Sequence, residues 1–527
     1  MKVARWYADP IVALGAVVAM ACNGWVWFAG EYVNYIDYSN HLGLISILAH
    51  GADTGALAYA DRSFAPVPYL LFYLISAGFA QVMSVPSALK VSLILATGLC
   101  TYGGAFCAER CGRSPRLGLL TPLTLFGYAL GYGFVSYVFT IPLFFFTLGA
   151  CEGLLTSLES GRAPWRRWGE LALFVLLTYL GHAFVFMVVA LLVGLRVTVW
   201  SLARLLRPEG VRLALRGWGL VALSAVPTAV ICFPVLVSRM GSSPPTEDTS
   251  TDGPAFTFVP IAKRFARYGG DLLERGSVEH WDTMYAAAAL FGLWVLLSLF
   301  RPHPTNDNPA CRRSWGLEIF AAAAAALYLF GPEGISRPIG VWMVYPRFAV
   351  LAAGLVFLLP RPDLRGWIGV PAALLALGLV AHNAVINHGH IEHFNASAKR
   401  YDPVRAMIPR GSRVLALNWV SAGDVVRSHQ AMGSLYFYHL ADGAAYTAFL
   451  FDVPLLPVRP KLEGRPRAPH WRHVSSFDPR THGKDFDFLV LRGKALTDRA
   501  DASKNHRRYG EVDGWVIYET IDPTPKR

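Results

Sequence analysis

Asp37 and His41 stand four residues apart in the stretch 35–48, where Leu42, Ile45 and Leu48 recur at helical spacing. That spacing predicts a helix with both side chains on one face. A carboxylate held this way suits a general base acting on a lipid-linked substrate, and with the imidazole it could hold a divalent cation. An ordinary i,i+4 pair on a solvated helix would look the same in sequence. A second acidic candidate, Asp61, adjoins Arg62 just ahead of the Pro-led segment Pro66-Val67-Pro68-Tyr69. Arg62 can grip a phosphate at a bilayer surface, because the planar guanidinium fork matches phosphate oxygens; snorkelling to the interface is its competing use. Arg347, in Tyr345-Pro346-Arg347-Phe348, and Arg337 are further phosphate candidates. His182, between two apolar runs, either lines a cavity or sits as a satisfied core histidine.

The elements that must position these residues are membrane helices. In 527 residues, 54% are hydrophobic and 16% charged, and the mean hydropathy is +0.37. That is more apolar than a soluble protein of this size. Apolar runs long enough to cross a bilayer, roughly 20 residues each, follow one another from Pro10 to about His388 and then stop. The expected organisation is therefore a transmembrane domain over 1–388 and a soluble α/β domain over 389–527. The net charge of +12 does not call for nucleic acid, since much of the arginine lies in short loops where topology explains it. All seven cysteines fall within the membrane region, so no disulfide framework is implied. No Walker loop or dinucleotide fingerprint is present.

Arginine fixes the threading, because Lys- and Arg-rich loops stay cytoplasmic. The N-terminus and the loops near 109–116, 157–168, 201–216, 301–313 and 361–365 are basic. They are expected inside. The first loop, 31–85, the loop 239–282 and the tail are expected outside. Parity holds only if one early apolar run does not span, and Pro66–Ser84, opened by Pro66 and Pro68, is that run. About eleven spans remain, near 10–30, 86–108, 116–132, 134–156, 168–181, 183–203, 216–238, 283–300, 314–331, 346–360 and 366–388. Arg347 then heads a span on the outer side, where positive charge is scarce, which places it ahead of Arg62 and Arg337. In the tail, β-rich runs at Arg413–Asn418, Phe486–Arg492 and Gly514–Glu519 predict strands.

Taken together, the acidic first loop, the Pro66–Tyr69 stretch, the Leu180-Gly181-His182-Ala183-Phe184 break, the Pro346-Arg347-Phe348 helix head and the outside α/β tail resemble the GT-C superfamily of membrane glycosyltransferases. The resemblance implies inverting transfer of a sugar from a polyprenyl-phosphate carrier to a glycan, lipid or protein acceptor. It implies Asp37 as base, with Asp61 as alternative, and Arg347, Arg62 and Arg337 at the donor phosphate. His41, His182 and Tyr69 would line the cavity. The family often has two adjacent acidic residues in the first loop, whereas Tyr38 follows Asp37 here. No redox or nucleotide cofactor is expected, and a divalent cation would fall to Asp37 and His41. The expected location is a bacterial inner membrane, with the N-terminus cytoplasmic and the C-terminus periplasmic. Two rivals compete: a flippase for a lipid-linked sugar, and a non-catalytic scaffold whose tail binds an envelope partner.

Overall fold

The computed structural model describes residues 6–206, 210–241, 254–273, 281–302, 315–336, 341, 343–364, 366–418, 434–453, 455–461, 463–470 and 473–525. Helices dominate the first three quarters of the chain. In order they are α1 (Pro10–Trp27), α2 (Tyr38–His50), α3 (Leu70–Ala80), α4 (Val85–Arg110), α5 (Tyr128–Gly131), α6 (Val135–Glu159), α7 (Trp165–Gly181), α8 (Ala183–Leu205), α9 (Gly210–Gly241), α10 (Ile261–Leu273), α11 (Trp281–Phe300), α12 (Gly316–Phe330), α13 (Val344–Leu358) and α14 (Gly369–Ala398). Among the described residues seven helices are long and apolar enough to cross a membrane: α1, α4, α6, α8, α9, α11 and α14. Three shorter apolar helices, α3, α12 and α13, join them.

Every expected span coincides with a helix except 116–132. There, Pro115–Leu125 is a 3-10 helix with Pro122 inside it, followed by the single turn of α5. Proline removes a backbone donor and crowds the preceding turn, so a regular α-helix does not form. The segment is packed deep against α4, where a Cβ on Gly118 would lie 2.4 Å from the Ala105 nitrogen. Only glycine permits that approach. The segment Pro66–Ser84, expected not to span, folds as the 11-residue α3, about 16 Å long at 1.5 Å per residue and short of a bilayer core.

At one end of the bundle the arginine-rich loops meet. Arg113 pairs with Glu318 at 2.5 Å and Arg361 with the same carboxylate at 2.9 Å. Arg116 reaches Asp9 at 2.9 Å, and Glu170 takes both Arg167, at 2.7 Å, and Arg110, at 3.3 Å. The N-terminal segment and the loops near 109–116, 157–168 and 361–365, which the sequence assigns to one side, are thus gathered on one side.

At the other end sits the C-terminal unit. Its five-stranded sheet runs in the order β5-β4-β7-β9-β8, with β4 (Arg413–Asn418), β5 (Tyr446–Thr447), β7 (Phe488–Arg492), β8 (His506–Val512) and β9 (Trp515–Thr520). β5, β4 and β7 are parallel, and β7, β9 and β8 antiparallel. The predicted strands correspond to β4, β7 and β9; edge strand β8, rich in exposed polar residues, has no apolar run to betray it. α14 continues past residue 388 to Ala398, so one helix joins the two regions. Another join lies far away in sequence: β1 (Ala60–Arg62), in the first loop, pairs antiparallel with β6 (Val458–Pro460), matching Asp61 with Arg459. α2 is caught between the two regions. Its first eleven residues are all buried, so it is not the half-solvated amphipathic helix its apolar spacing suggests. Leu42, Ile45 and Leu48 form one buried face, while Gly43 and Ser46 meet the C-terminal unit, the Ser46 hydroxyl donating to the Leu440 carbonyl at 2.6 Å.

Candidate active site

Asp37 is the N-cap residue of α2, yet its side chain makes no capping hydrogen bond. A capping aspartate ordinarily accepts from the first-turn N–H groups, so this carboxylate is left for other work. Its backbone is held from the next loop. Asp37 N–H donates to the Tyr132 carbonyl at 3.1 Å and Ile36 N–H to that of Gly131 at 3.4 Å. Gly133, at φ +92°, lies so close that a Cβ would stand 2.4 Å from the Asp37 nitrogen. Burial raises the Asp37 carboxyl to about 7, opposed by the positive charge of Arg347. Desolvation disfavours the anion, and the guanidinium restores part of it. A carboxylate poised there is matched to proton transfer near neutrality.

Arg347 sits in the first turn of α13, only 9% exposed. Its guanidinium lies 4.1 Å from the Phe134 ring centre and 5.3 Å from that of Phe184, an arrangement in which the ring faces favour the cation. The Tyr137 hydroxyl donates to its carbonyl at 2.5 Å. Asp37, Tyr69, Tyr137 and Tyr128 are the groups within its electrostatic reach.

Tyr69 adopts φ +73° at the head of α3, a left-handed conformation that costs a non-glycine residue about 1–3 kcal/mol. That turn aims its ring edge-on at His182, 4.6 Å between centres, and Tyr137 meets the same imidazole at 5.5 Å. His182 breaks the chain between α7 and α8, accepting through Nδ1 from the Phe184 N–H at 3.1 Å. His41 is boxed in by aromatic rings. Its Nδ1 is 2.6 Å from the Tyr73 hydroxyl, and Phe72, Tyr73 and Phe451 surround the ring. Burial lowers it to about 3, a hydrogen bond to the Gly133 backbone offsetting part of the effect. It is a neutral wall residue at any physiological pH.

The C-terminal unit reaches into this site. Asn40 clamps it with two hydrogen bonds, its amide donating to the Phe449 carbonyl at 3.2 Å and its oxygen accepting from the Phe451 N–H at 3.3 Å. Phe449 is held at φ +66°. Tyr436 lies near enough to Asp37 that, after burial, the carboxylate charge further raises its hydroxyl pKa. Sequence reasoning missed Tyr436, Phe451, Phe134 and Tyr137, which are aromatic residues in aromatic-rich surroundings and carry no local signal.

Of the residues singled out in the sequence, Asp37, Arg347, Tyr69, His41 and His182 come together. Asp61 and Arg62 do not join them. Asp61 is 73% exposed on β1 and faces Lys461 at 3.7 Å, and Arg62 is exposed and donates to the Leu48 carbonyl at 3.4 Å. Strand pairing with β6 turns this segment outward. Arg337 lies outside the described residues. Among the described residues no group of three or more His, Cys, Asp or Glu side chains is placed to hold a metal ion, and the Asp37–His41 pair gains no third ligand.

A bundle of membrane helices, an acidic first loop facing an arginine at a helix head, and a sheet domain joined to that loop make up one architecture, the fold that the resemblance in the sequence implies. No protein-family model matches the sequence, and no curated protein sequence matches it. Two solved structures share the architecture throughout. ArnT from Cupriavidus metallidurans bound to undecaprenyl phosphate aligns over 99% of this chain and 100% of its own, with TM-score 0.55 and 12% identity. Its apo form aligns over 98% and 100%, with TM-score 0.54 and 12% identity.

Proposed function

We propose that the chain is an inverting glycosyltransferase that moves a sugar from a polyprenyl-phosphate donor to an acceptor hydroxyl at the outer face of an inner membrane. The observation that carries this reading is the meeting of Asp37 and Arg347 in one half-buried site: a carboxyl raised to about 7 by burial, with a desolvated guanidinium within electrostatic reach. That undecaprenyl phosphate binds an ArnT of the same fold supports the donor class. Asp37 takes the proton from the acceptor hydroxyl, the oxygen attacks the anomeric carbon, and the bond to the carrier phosphate breaks with its electron pair. Arg347 stabilises the charge that grows on the departing phosphate. Tyr69, His41 and His182 form a wall of packed rings that keeps water from competing as acceptor. Arg62 and Asp61, turned outward, stand aside from this step.

The membrane unit, 1–388, and the tail, 389–527, act in this reading as one body. The arginine-laced end faces the cytoplasm, and the site and tail face the periplasm. The test is transfer by Asp37→Asn, which keeps size and hydrogen bonding but removes the base. Retained binding of undecaprenyl phosphate with lost transfer supports the assignment; full transfer by the variant would take the role of base from Asp37, and no transfer by the unaltered chain would return the protein to the flippase or scaffold readings.

A further inference from the structure

Between the spans α9 and α11 lies α10, 13 residues long and so about 20 Å, too short to cross a bilayer. It is inside out by the standards of a soluble protein. Arg264 and Asp271 are turned inward and fully buried, while Ile261 and Phe265 are exposed, together with Phe256 and Phe258 in the segment before the helix. The inward polar groups meet polar partners. Arg264 donates from Nε to the Val259 carbonyl at 2.9 Å and from a terminal nitrogen to the Tyr328 carbonyl at 2.8 Å. The Tyr328 hydroxyl donates to Asp271 at 2.9 Å, and the Arg264 guanidinium stacks 4.4 Å from the Tyr345 ring centre.

Around the exposed arc, at 3.6 residues per turn, Ile261 and Phe265 form one flank, Ala262 and Ala266 the crest, and Lys263 and Arg267 the other flank. Arg267 also reaches back to Asp271 at 3.9 Å. A helix with a large aromatic-aliphatic flank and a cationic flank is built to lie in a bilayer interface, apolar side down and cations among the headgroups. Water would penalise that arrangement; a membrane surface rewards it. Pairing of Phe256 and Thr257 with Ile335 and Gly334 holds the preceding segment on the same lip.

We propose that α10, with Phe256 and Phe258, is an interfacial helix that docks on the bilayer and takes anionic lipid headgroups through Lys263 and Arg267. Because its buried face grips Tyr345, two residues before Arg347, the docked helix also ties the leaflet to the arginine of the candidate site. The inference stands whether or not the transfer reading holds.

The test uses the full chain in nanodiscs, with its seven cysteines replaced and a bimane fluorophore on Phe265→Cys. Phe258→Cys reports the same face should the first variant fail to fold. Nitroxides on lipid acyl chains should quench the probe and aqueous iodide should not. A nitroxide on the phosphatidylglycerol headgroup should quench at least about twofold more than one on phosphatidylcholine, consistent with attraction to basic residues at the surface. That preference should vanish in Lys263→Gln/Arg267→Gln. Quenching by iodide would overturn the docking, and equal quenching by the two headgroups would overturn the anionic-lipid assignment.

Discussion

The two ends of the helix bundle handle charge in opposite ways. At the arginine-rich end, Arg113, Glu318 and Arg361 and the set Arg110, Arg167 and Glu170 neutralise one another at 2.5–3.3 Å. At the other end Asp37 forgoes its cap and Arg347 is buried among aromatic rings. Paired charge at the first end secures the packing. At the second, a buried carboxylate and a buried guanidinium within electrostatic reach of each other cost stability, and in the proposed function that cost is exchanged for reactivity.

Substitutions at the two ends should therefore separate cleanly. Asp37→Asn should lower transfer by on the order of 100-fold or more with thermal stability intact or raised, since a buried acid is removed; single-turnover assays check the first and melting curves of the purified chain the second. Arg347→Ala should weaken binding of undecaprenyl phosphate by roughly ten- to a hundredfold, the worth of hydrogen bonds to a charged group, and Arg347→Lys by less, because it keeps charge without the fork. Titration calorimetry gives the comparison.

The pH profile sharpens the contrast. A base must be deprotonated, so transfer should rise through about pH 7, following Asp37, and level off above it. Arg347 holds that value down, so Arg347→Gln should shift the rise to higher pH. A shift to lower pH would separate the two residues. Asn40→Ala removes both bonds to the C-terminal unit; it should destabilise by about 1–3 kcal/mol and reduce transfer modestly, measured as a fall in melting temperature beside kcat. Smallest in its effect on turnover, Glu318→Gln leaves the buried Arg113 uncompensated. It should cost on the order of 3 kcal/mol of stability while kcat per folded molecule stays unchanged.

Much of the architecture is legible in the sequence because lipid imposes a simple rule: long apolar runs become helices, and arginine marks one side of the bundle. Asp37 and Arg347 stand out as charges where that rule leaves few. Other features depend on contacts that no local pattern encodes. The two-sided burial of α2 follows from the C-terminal unit covering its second face, where Leu440 takes the Ser46 bond. Asp61 looks equivalent to Asp37 until β6 arrives to turn it outward. The 3-10 course of Pro115–Leu125 follows from Pro122 and the close approach of Gly118 to α4, whereas hydropathy registers only an apolar run. The polarity of α10 is inverted, and a pattern of alternating charge and apolar residues cannot say which side faces the protein.

The pairing of β1 with β6 has a consequence for biosynthesis. Asp61 finds Arg459 only after nearly 400 further residues are made, roughly 20–80 s at about 5–20 residues per second. Until then Asn40 lacks its partners at Phe449 and Phe451, and the wall carrying Tyr436 does not exist. A nascent chain inserted in the membrane therefore holds its acidic loop and its arginine without the enclosure that the C-terminal unit supplies. Ribosome-stalled chains ending before residue 434 should expose the first loop to protease, and chains extended past residue 460 should protect it. The long closure acts as a timer that withholds the finished site until synthesis is nearly complete.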